Sequence, residues 1–354
     1  MKVGILTFTG TINYGASLQA YALQELIKSF GIDVEIIEYH NSDIDEKEKN
    51  SGLKRFTPRG ILKALVIGKG LKNKVEFFKM FEKNNMKFSP ICDAEQLKEL
   101  QGQYDKIVVG SDQVWCMGIT NNDWHYFLDF IEDSRKKISY APSFGNEYFP
   151  TECYTKAAKL LNEFSQLSVR EQSGAELIKK ITGRDAKVVL DPTLLLNCNE
   201  WKRKTSYVPE ITNYILVYFP HNKKKVFDFV FELQKKTKLP IIYLSISPRI
   251  QKGVKTIYDA SPEEFLGWIL HADYVVTGSF HGTAFSINCG KQFYYEPSGE
   301  GSRIDNIVKM CGVEERSIGN KLSLDNKIDY QPVWKKLDKY REDSISWLKN
   351  ALEE

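Results

Sequence analysis

The sequence predicts a doubly wound α/β fold, arranged as two domains facing each other across a cleft. Three observations carry this expectation. Residues 2–39 read as strand, loop, helix, strand. Two successive series of short apolar, β-former-rich runs then alternate with helical patterns. The 354 residues are 42% hydrophobic and 27% charged, ordinary globular usage for a chain of about two domains.

In chain order, Lys2 to Phe8 is an apolar run suited to a strand buried on both faces. A loop punctuated by Gly10 and Gly15 leads to helical spacing at Leu18, Tyr21, Ala22, Leu26 and Ile27. Gly31 stands where a C-terminal cap belongs. Val34 to Tyr39 is the second strand. Residues 41–90 form a lysine-rich, mostly helical insertion. Strands return at 106–110, 138–140, 166–169 and 187–190, with helices at 151–164 and 173–181 between them. The second series has strands at 214–219, 240–245, 274–277 and 293–295. Its helices are 223–236 and one from Ser261-Pro-Glu-Glu264, a capping-box start, through Leu270. The division expected is 1–205, 206–330 and a final helix over 331–354 that packs back on the first domain.

Lys plus Arg exceed Asp plus Glu by only 49 − 46 = 3, too little to imply nucleic-acid binding through charge. The charge is local: residues 51–90 hold ten Lys/Arg against Glu76 and Glu82. Interleaved with Ile61, Leu65, Phe77 and Phe78, these cations suit a solvated helical face covering the sheet, or peripheral contact with an anionic membrane. Six dispersed cysteines, with no CxxC and no His at ligand spacing, suit a reducing compartment and give no metal site. No apolar run approaches the roughly 20 residues of a membrane span, and the opening residues lack a signal-peptide pattern, so a cytoplasmic protein is expected.

Ligands of open α/β sheets bind at the carboxyl ends of strands. The first such segment, Gly10-Thr-Ile-Asn13-Tyr-Gly15, is not GxGxxG. It is a tight turn into a helix that could also offer Asn13 and backbone N–H groups near Gly15 to an anion. Next come Gly110, Ser111, Asp112 and Gln113, in which Asp112 is either a carboxylate base or a helix cap. Arg170 follows the strand ending at Val169. It either pairs with Glu171 or Asp191, or binds a phosphate or carboxylate facing the cleft. The strongest signal is Thr277-Gly-Ser279-Phe-His281-Gly282-Thr283-Ala284. Small residues there allow close backbone approach at a helix start, and His281 could shuttle protons near neutral pH. Arg249 ends a strand-loop facing the same cleft. Arg303 reads as a helix cap or an anion ligand, with capping the simpler account, and Asp191-Pro-Thr193 reads as a structural turn.

Taken together, Asn13-Tyr-Gly15-Ala-Ser-Leu18-Gln19, Val109-Gly-Ser-Asp-Gln-Val-Trp115, Ser139-Tyr-Ala-Pro-Ser-Phe-Gly145, Ser168-Val-Arg-Glu171, Asp191-Pro-Thr193 and Ser279-Phe-His-Gly-Thr-Ala-Phe285 resemble, in order, the polysaccharide pyruvyl transferase family. The resemblance implies two Rossmann-like domains similar to GT-B glycosyltransferases. It implies phosphoenolpyruvate as co-substrate, with no separate cofactor, and a hexose of a cell-surface glycan or its polyprenyl-pyrophosphate-linked precursor as acceptor. Arg170 and His281 match donor-site positions of the family. Where some members carry an arginine two residues before the histidine, this sequence has Ser279, so another group must replace it, with Arg249 or the helix N-terminus as candidates. The roles expected are His281 as acid, Arg170 as anion ligand and Asp112 positioning or deprotonating a sugar hydroxyl. Asn13, Gly15, Ser111, Gln113, Arg249, Ser279, Gly282 and Thr283 are expected at the substrates. A nucleotide-sugar glycosyltransferase and a non-catalytic glycan-binding module are the competing readings.

Overall fold

The computed structural model describes residues 1–40, 58–145, 149–219, 224–245, 251–298 and 302–354. Two parallel sheets organise them. The first has β1 (Lys2–Leu6), β2 (Asp33–Ile36), β3 (Lys106–Val109) and β4 (Lys137–Ser139) in the order β2-β1-β3-β4. A two-stranded pair, β5 (Ser168–Val169) and β6 (Lys187–Val188), continues it. The link is made by paired serines: Ser168 Oγ donates to the Ser139 carbonyl at 2.6 Å and Ser139 Oγ to the Ser168 carbonyl at 2.9 Å. The second sheet runs β11-β10-β7-β8-β9, with β7 (Ile215–Phe219), β8 (Ile241–Ser245), β9 (Lys255–Ile257), β10 (Tyr274–Thr277) and β11 (Gln292–Tyr295).

Strand order reverses between β1 and β3 in one sheet and between β7 and β10 in the other. Each reversal leaves a crevice at the carboxyl edge, where the flanking connections cross to opposite faces. Into the first crevice points α1 (Tyr14–Ser29), capped by Asn13, whose side chain accepts from the Gly15 N–H. Into the second points α10 (Phe280–Asn288), capped by Ser279. The helices in between are α2 (Pro58–Asn85), α3 (Ala94–Leu100), α4 (Met117–Thr120), α5 (Tyr154–Asn162), α6 (Gln172–Thr182), α7 (Cys198–Lys202), α8 (Lys224–Thr237) and α9 (Pro262–His271), with α11 (Arg303–Cys311) and α12 (Tyr330–Glu353) after them.

The two halves meet along an aromatic seam. Tyr14 stacks on Phe265 with ring centroids 4.5 Å apart and planes 7° from parallel, and its hydroxyl donates to the Ala260 carbonyl at 2.8 Å. Phe78 and Tyr218 close around it. Such a stack contributes about 1 kcal/mol beyond the area it buries. The last helix returns to the first half: Ser344 Oγ accepts from the Leu190 N–H at 3.0 Å and Arg341 Nε donates to the Leu194 carbonyl at 2.7 Å.

The basic insertion departs from a uniformly solvated face. Residues 41–57 lie outside the described ones. In the second half of α2, Lys72, Lys79 and Lys83 are exposed, but Lys74 is fully buried, its ammonium 4.8 Å from the centroid of the Tyr14 ring. Burial lowers its pKa to about 8, against the opposing pull of Asp259. Among the described residues, no helix is long and apolar enough to cross a membrane.

Candidate active site

The carboxyl ends of β3, β4, β5 and β6 lie side by side and converge on one buried cluster of charge. Beyond β3 and β4, Asp112 pairs in parallel with Pro142, and the Ser143 N–H donates to the Asp112 carbonyl at 2.8 Å. Beyond β5, the Arg170 N–H donates to the Pro142 carbonyl at 3.2 Å. The Val169↔Val188 register of β5 and β6 then sets Arg170 beside the chain leading to Asp191. Asp112 holds a positive φ of 81°, a conformation that costs a non-glycine residue about 1 kcal/mol or more and that clusters at functional sites.

Asp191 is the centre. Its Oδ2 accepts from Arg170 Nη1 at 2.9 Å and from Ser111 Oγ at 2.8 Å, and lies 3.7 Å from His281 Nε2. Its Oδ1 accepts from the Thr193 N–H at 3.0 Å and the Thr193 hydroxyl at 2.7 Å, which fixes the carboxylate plane. Arg170 also lies 3.8 Å from Asp112 Oδ1 and 3.7 Å from Glu171 Oε2, and its guanidinium rests over the Phe280 ring at 4.8 Å. The side chains of Arg170 and Asp191 are 1% and 0% exposed, so these charges are almost unscreened by water.

Burial alone would raise the Asp191 carboxyl, but His281 and then Arg170 outweigh it and hold it well below the ordinary carboxylate range. Burial opposes the charge on Arg170, yet Asp191, Asp112 and Glu171 together hold it more firmly protonated than usual. Burial raises the Glu171 carboxyl, with Arg170 the chief opposing influence. Despite these contacts the cluster is incompletely satisfied. Arg170 Nε and Nη2, Glu171 Oε2 and His281 Nε2 are all buried without a hydrogen-bond partner. Orphaned polar atoms of this kind are rare in folded interiors, and here four of them belong to one cluster of charged side chains.

His281 reaches this cluster from the other half because of a single glycine. It lies in the first turn of α10, and its imidazole Nδ1 and Cε1 rest against the Cα of Gly15, where any Cβ would overlap the ring. A sixth charged group joins from the segment after β11. Arg303, first residue of α11, is half-buried and lies within the field of Arg170, Asp112, Glu171 and Asp191. Burial and then Arg170 lower its pKa. Ser302 caps α11, accepting from the Asp305 N–H at 3.2 Å, so Arg303 does not serve as the cap.

Several residues expected at the substrates also have structural duties. Gly282 is required by packing, since a Cβ there would overlap the Thr277 hydroxyl. Thr283 is fully buried and donates to the Ser279 carbonyl at 3.1 Å. Ser111 is committed to Asp191, and Asn13 spends its side-chain oxygen on capping α1. Ser279 caps α10 from a nearly buried position. Gln113 is half-exposed beside Gly145. Arg249 lies outside the described residues. Among those described, no group of three His, Cys, Asp or Glu side chains is disposed to hold a metal ion.

A family model of polysaccharide pyruvyl transferases matches residues 13–295. The chain belongs to the polysaccharide pyruvyl transferase family. No curated protein matches it in sequence. In structure it is similar to a protein from Listeria monocytogenes assigned as a UDP-N-acetylglucosamine 2-epimerase, at TM-score 0.55 and 10% identity, over 98% of this chain and 90% of that one. It is also similar to the UDP-GlcNAc 2-epimerase of Methanocaldococcus jannaschii, at TM-score 0.50 and 15% identity, over 97% and 92% of the two chains. These likenesses show the fold, two Rossmann-like domains in the GT-B manner. As a polysaccharide pyruvyl transferase the chain is a transferase enzyme, and its family match takes in Arg170, Asp191 and His281 but stops short of Arg303.

Two residues of this site are legible in the sequence only as one of two alternatives. Asp191 reads as the start of a turn, which it is, accepting from the Thr193 N–H. Its second role depends on the register of β5 against β6, which no local pattern reports. Arg303 follows a polar, glycine-rich loop, and the adjacency of β11 to β10 helps bring it into the field of Arg170 and Asp191.

Proposed function

We propose that this transferase moves the carboxyethylidene group of phosphoenolpyruvate onto two hydroxyls of a hexose, in a cell-surface polysaccharide or its lipid-linked precursor, and releases phosphate. The observation that carries this reading is the set of unpartnered buried donors, Arg170 Nε and Nη2 and His281 Nε2, gathered around Asp191 with Arg303 in the same field. Two guanidiniums and an imidazole suit a small ligand bearing both phosphate and carboxylate.

Ketal formation requires a proton on C3 of the enol, so that C2 becomes electrophilic. His281, as imidazolium paired with Asp191, is placed to give that proton. The first sugar hydroxyl adds to C2, phosphate leaves with the arginines balancing its charge, and the second hydroxyl closes the ketal. Of the two hydroxyl protons, one replaces that given by His281 and one leaves with phosphate. Asp112, 3.8 Å from Arg170 and accepting from the Gln113 N–H at 2.8 Å, is better suited to orienting a hydroxyl than to taking its proton. The lipid-linked acceptor would be met at the cytoplasmic face of the membrane, with exposed Lys72, Lys79 and Lys83 beside Phe77 and Met80 as the peripheral contact.

Calorimetric titration with phosphoenolpyruvate, run beside UDP-sugars, tests the donor. Binding of phosphoenolpyruvate that is lost in Arg170→Lys, with phosphate release on adding glycan acceptor, supports the reading. Binding of a UDP-sugar with no response to phosphoenolpyruvate overturns it in favour of sugar transfer.

A further inference from the structure

Two segments run side by side away from the centre of the candidate site. One leads from Asp191 through the turn Pro192–Leu194 to Cys198, the first residue of α7. The other leads from His281 along α10 to Cys289, its C-cap. They are joined at the near end by the 3.7 Å contact between Asp191 and His281. Next to Cys289, the Asn288 amide donates to the Leu196 carbonyl at 2.8 Å and the Thr193 carbonyl at 3.3 Å. At the far end the side chains of Cys198 and Cys289 meet. Both are free, and both are half-buried rather than sealed from solvent.

We propose that Cys198 and Cys289 are a modification site, forming a reversible disulfide that staples the helix bearing His281 to the segment bearing Asp191.

The chemistry favours this pair over the other thiols. Contact with Cys289, assisted by Lys202 and Lys291, outweighs burial and lowers the Cys198 thiol to about 7, while the same contact pushes Cys289 up. Cys198 is therefore the attacking thiolate. By contrast, burial raises Cys92 to about 11 and Cys311 to about 12, and raises Cys153 as well. The oxidant is a low-molecular-weight disulfide. The Cys198 thiolate attacks one of its sulfurs and expels one thiolate. Cys289, losing its proton, then attacks Cys198 Sγ and expels the second. The two protons of the cysteines end on the two released thiols, and two electrons pass to the reagent.

The staple forms or fails whichever donor the site takes, so it is read without activity. The reduced full-length protein is incubated with oxidised glutathione, quenched by alkylation and mapped by peptide mass spectrometry, with a thermal melt in parallel. The expected result is a linked peptide containing Cys198 and Cys289 as the main product. With it, the melting midpoint rises by about 5 °C, since closing so long a loop constrains the unfolded chain. Dithiothreitol reverses both, and Cys198→Ser and Cys289→Ser each abolish both. Linkage scattered among the other cysteines overturns the proposal. So does Cys198 that stays glutathionylated beside an alkylated Cys289, and these results are read on the unsubstituted protein.

Discussion

Gly15 and His281 come from opposite halves of the chain, and the imidazole lies where the Cβ of any other residue at position 15 would stand. The glycine is helical, in the first turn of α1, so its value is the absence of a side chain rather than backbone freedom. Gly15→Ala is expected to displace the His281 ring by overpacking, costing about 1–3 kcal/mol of stability. Turnover should fall by about 100-fold or more while the far-UV circular dichroism of the folded protein is unchanged. Turnover within a few-fold of the parent would show that the contact does not position the imidazole.

Removing the Asp191 charge should leave Arg170 buried with only the longer contacts to Asp112 and Glu171. Asp191→Asn is expected to lower stability by about 3–5 kcal/mol at neutral pH, measured by urea unfolding. The folded carboxyl titrates below the unfolded one. Its contribution is therefore fully present above about pH 4 and is lost as pH falls toward the folded value. The acid limb of the stability profile should be shallower in the variant than in the parent.

Arg303 is expected to bind donor rather than to cap its helix, since Ser302 does that work. Arg303→Gln should raise the KM for phosphoenolpyruvate about tenfold or more, with the melting midpoint near that of the parent. Ser302→Ala should do the reverse, costing about 1 kcal/mol of stability and leaving the KM alone. Steady-state phosphate release and thermal melts on the two variants separate these outcomes.

Lys74 is a buried cation whose Nζ has no hydrogen-bond partner. Its folded pKa, near 8, lies below the unfolded value, so the charged form penalises folding below about pH 8 and the penalty is relieved as pH rises toward 10. Lys74→Met keeps the volume and removes the charge. It is expected to stabilise the protein by about 1–3 kcal/mol at pH 7, partly offset by loss of the contact with the Tyr14 ring, and to flatten the rise in stability between pH 8 and 10.

What the sequence made legible was what local chemistry writes down. β10 reads directly from its apolar run, and the Ser261 capping box with Glu264 announces α9. α1 starts at Tyr14, four residues before Leu18, the first of its apolar-spaced residues, because Asn13 caps it. The edge strand Lys255–Ile257 has no run to read, since three half-exposed residues carry no period.

Within the site, Arg170 is legible because it follows a strand directly, where a charged side chain must meet either a partner or a ligand, and His281 because it stands in the first turn of the helix that comes just after one. Arg170 meets both of the acids that its neighbourhood offered, Asp191 and Glu171. Gly282 and Thr283 are ambiguous in the sequence, since small residues at a strand end serve the packing of α10 on Thr277 as readily as they admit a substrate. Asp191 and Arg303 depend on which strands are neighbours, a long-range fact that a linear pattern does not encode.

The seam also bears on modularity. His281 needs a glycine from the opposite half, Tyr14 needs Phe265 and the Ala260 carbonyl, and Arg341 of α12 bonds both the Leu194 carbonyl and Asn288. Chimeras that exchange residues 1–205 between relatives would therefore inherit a donor site only when these partners travel together. Diversification of glycan specificity is free to proceed at the rim, while the two halves of the chain are bound to change in concert at the centre.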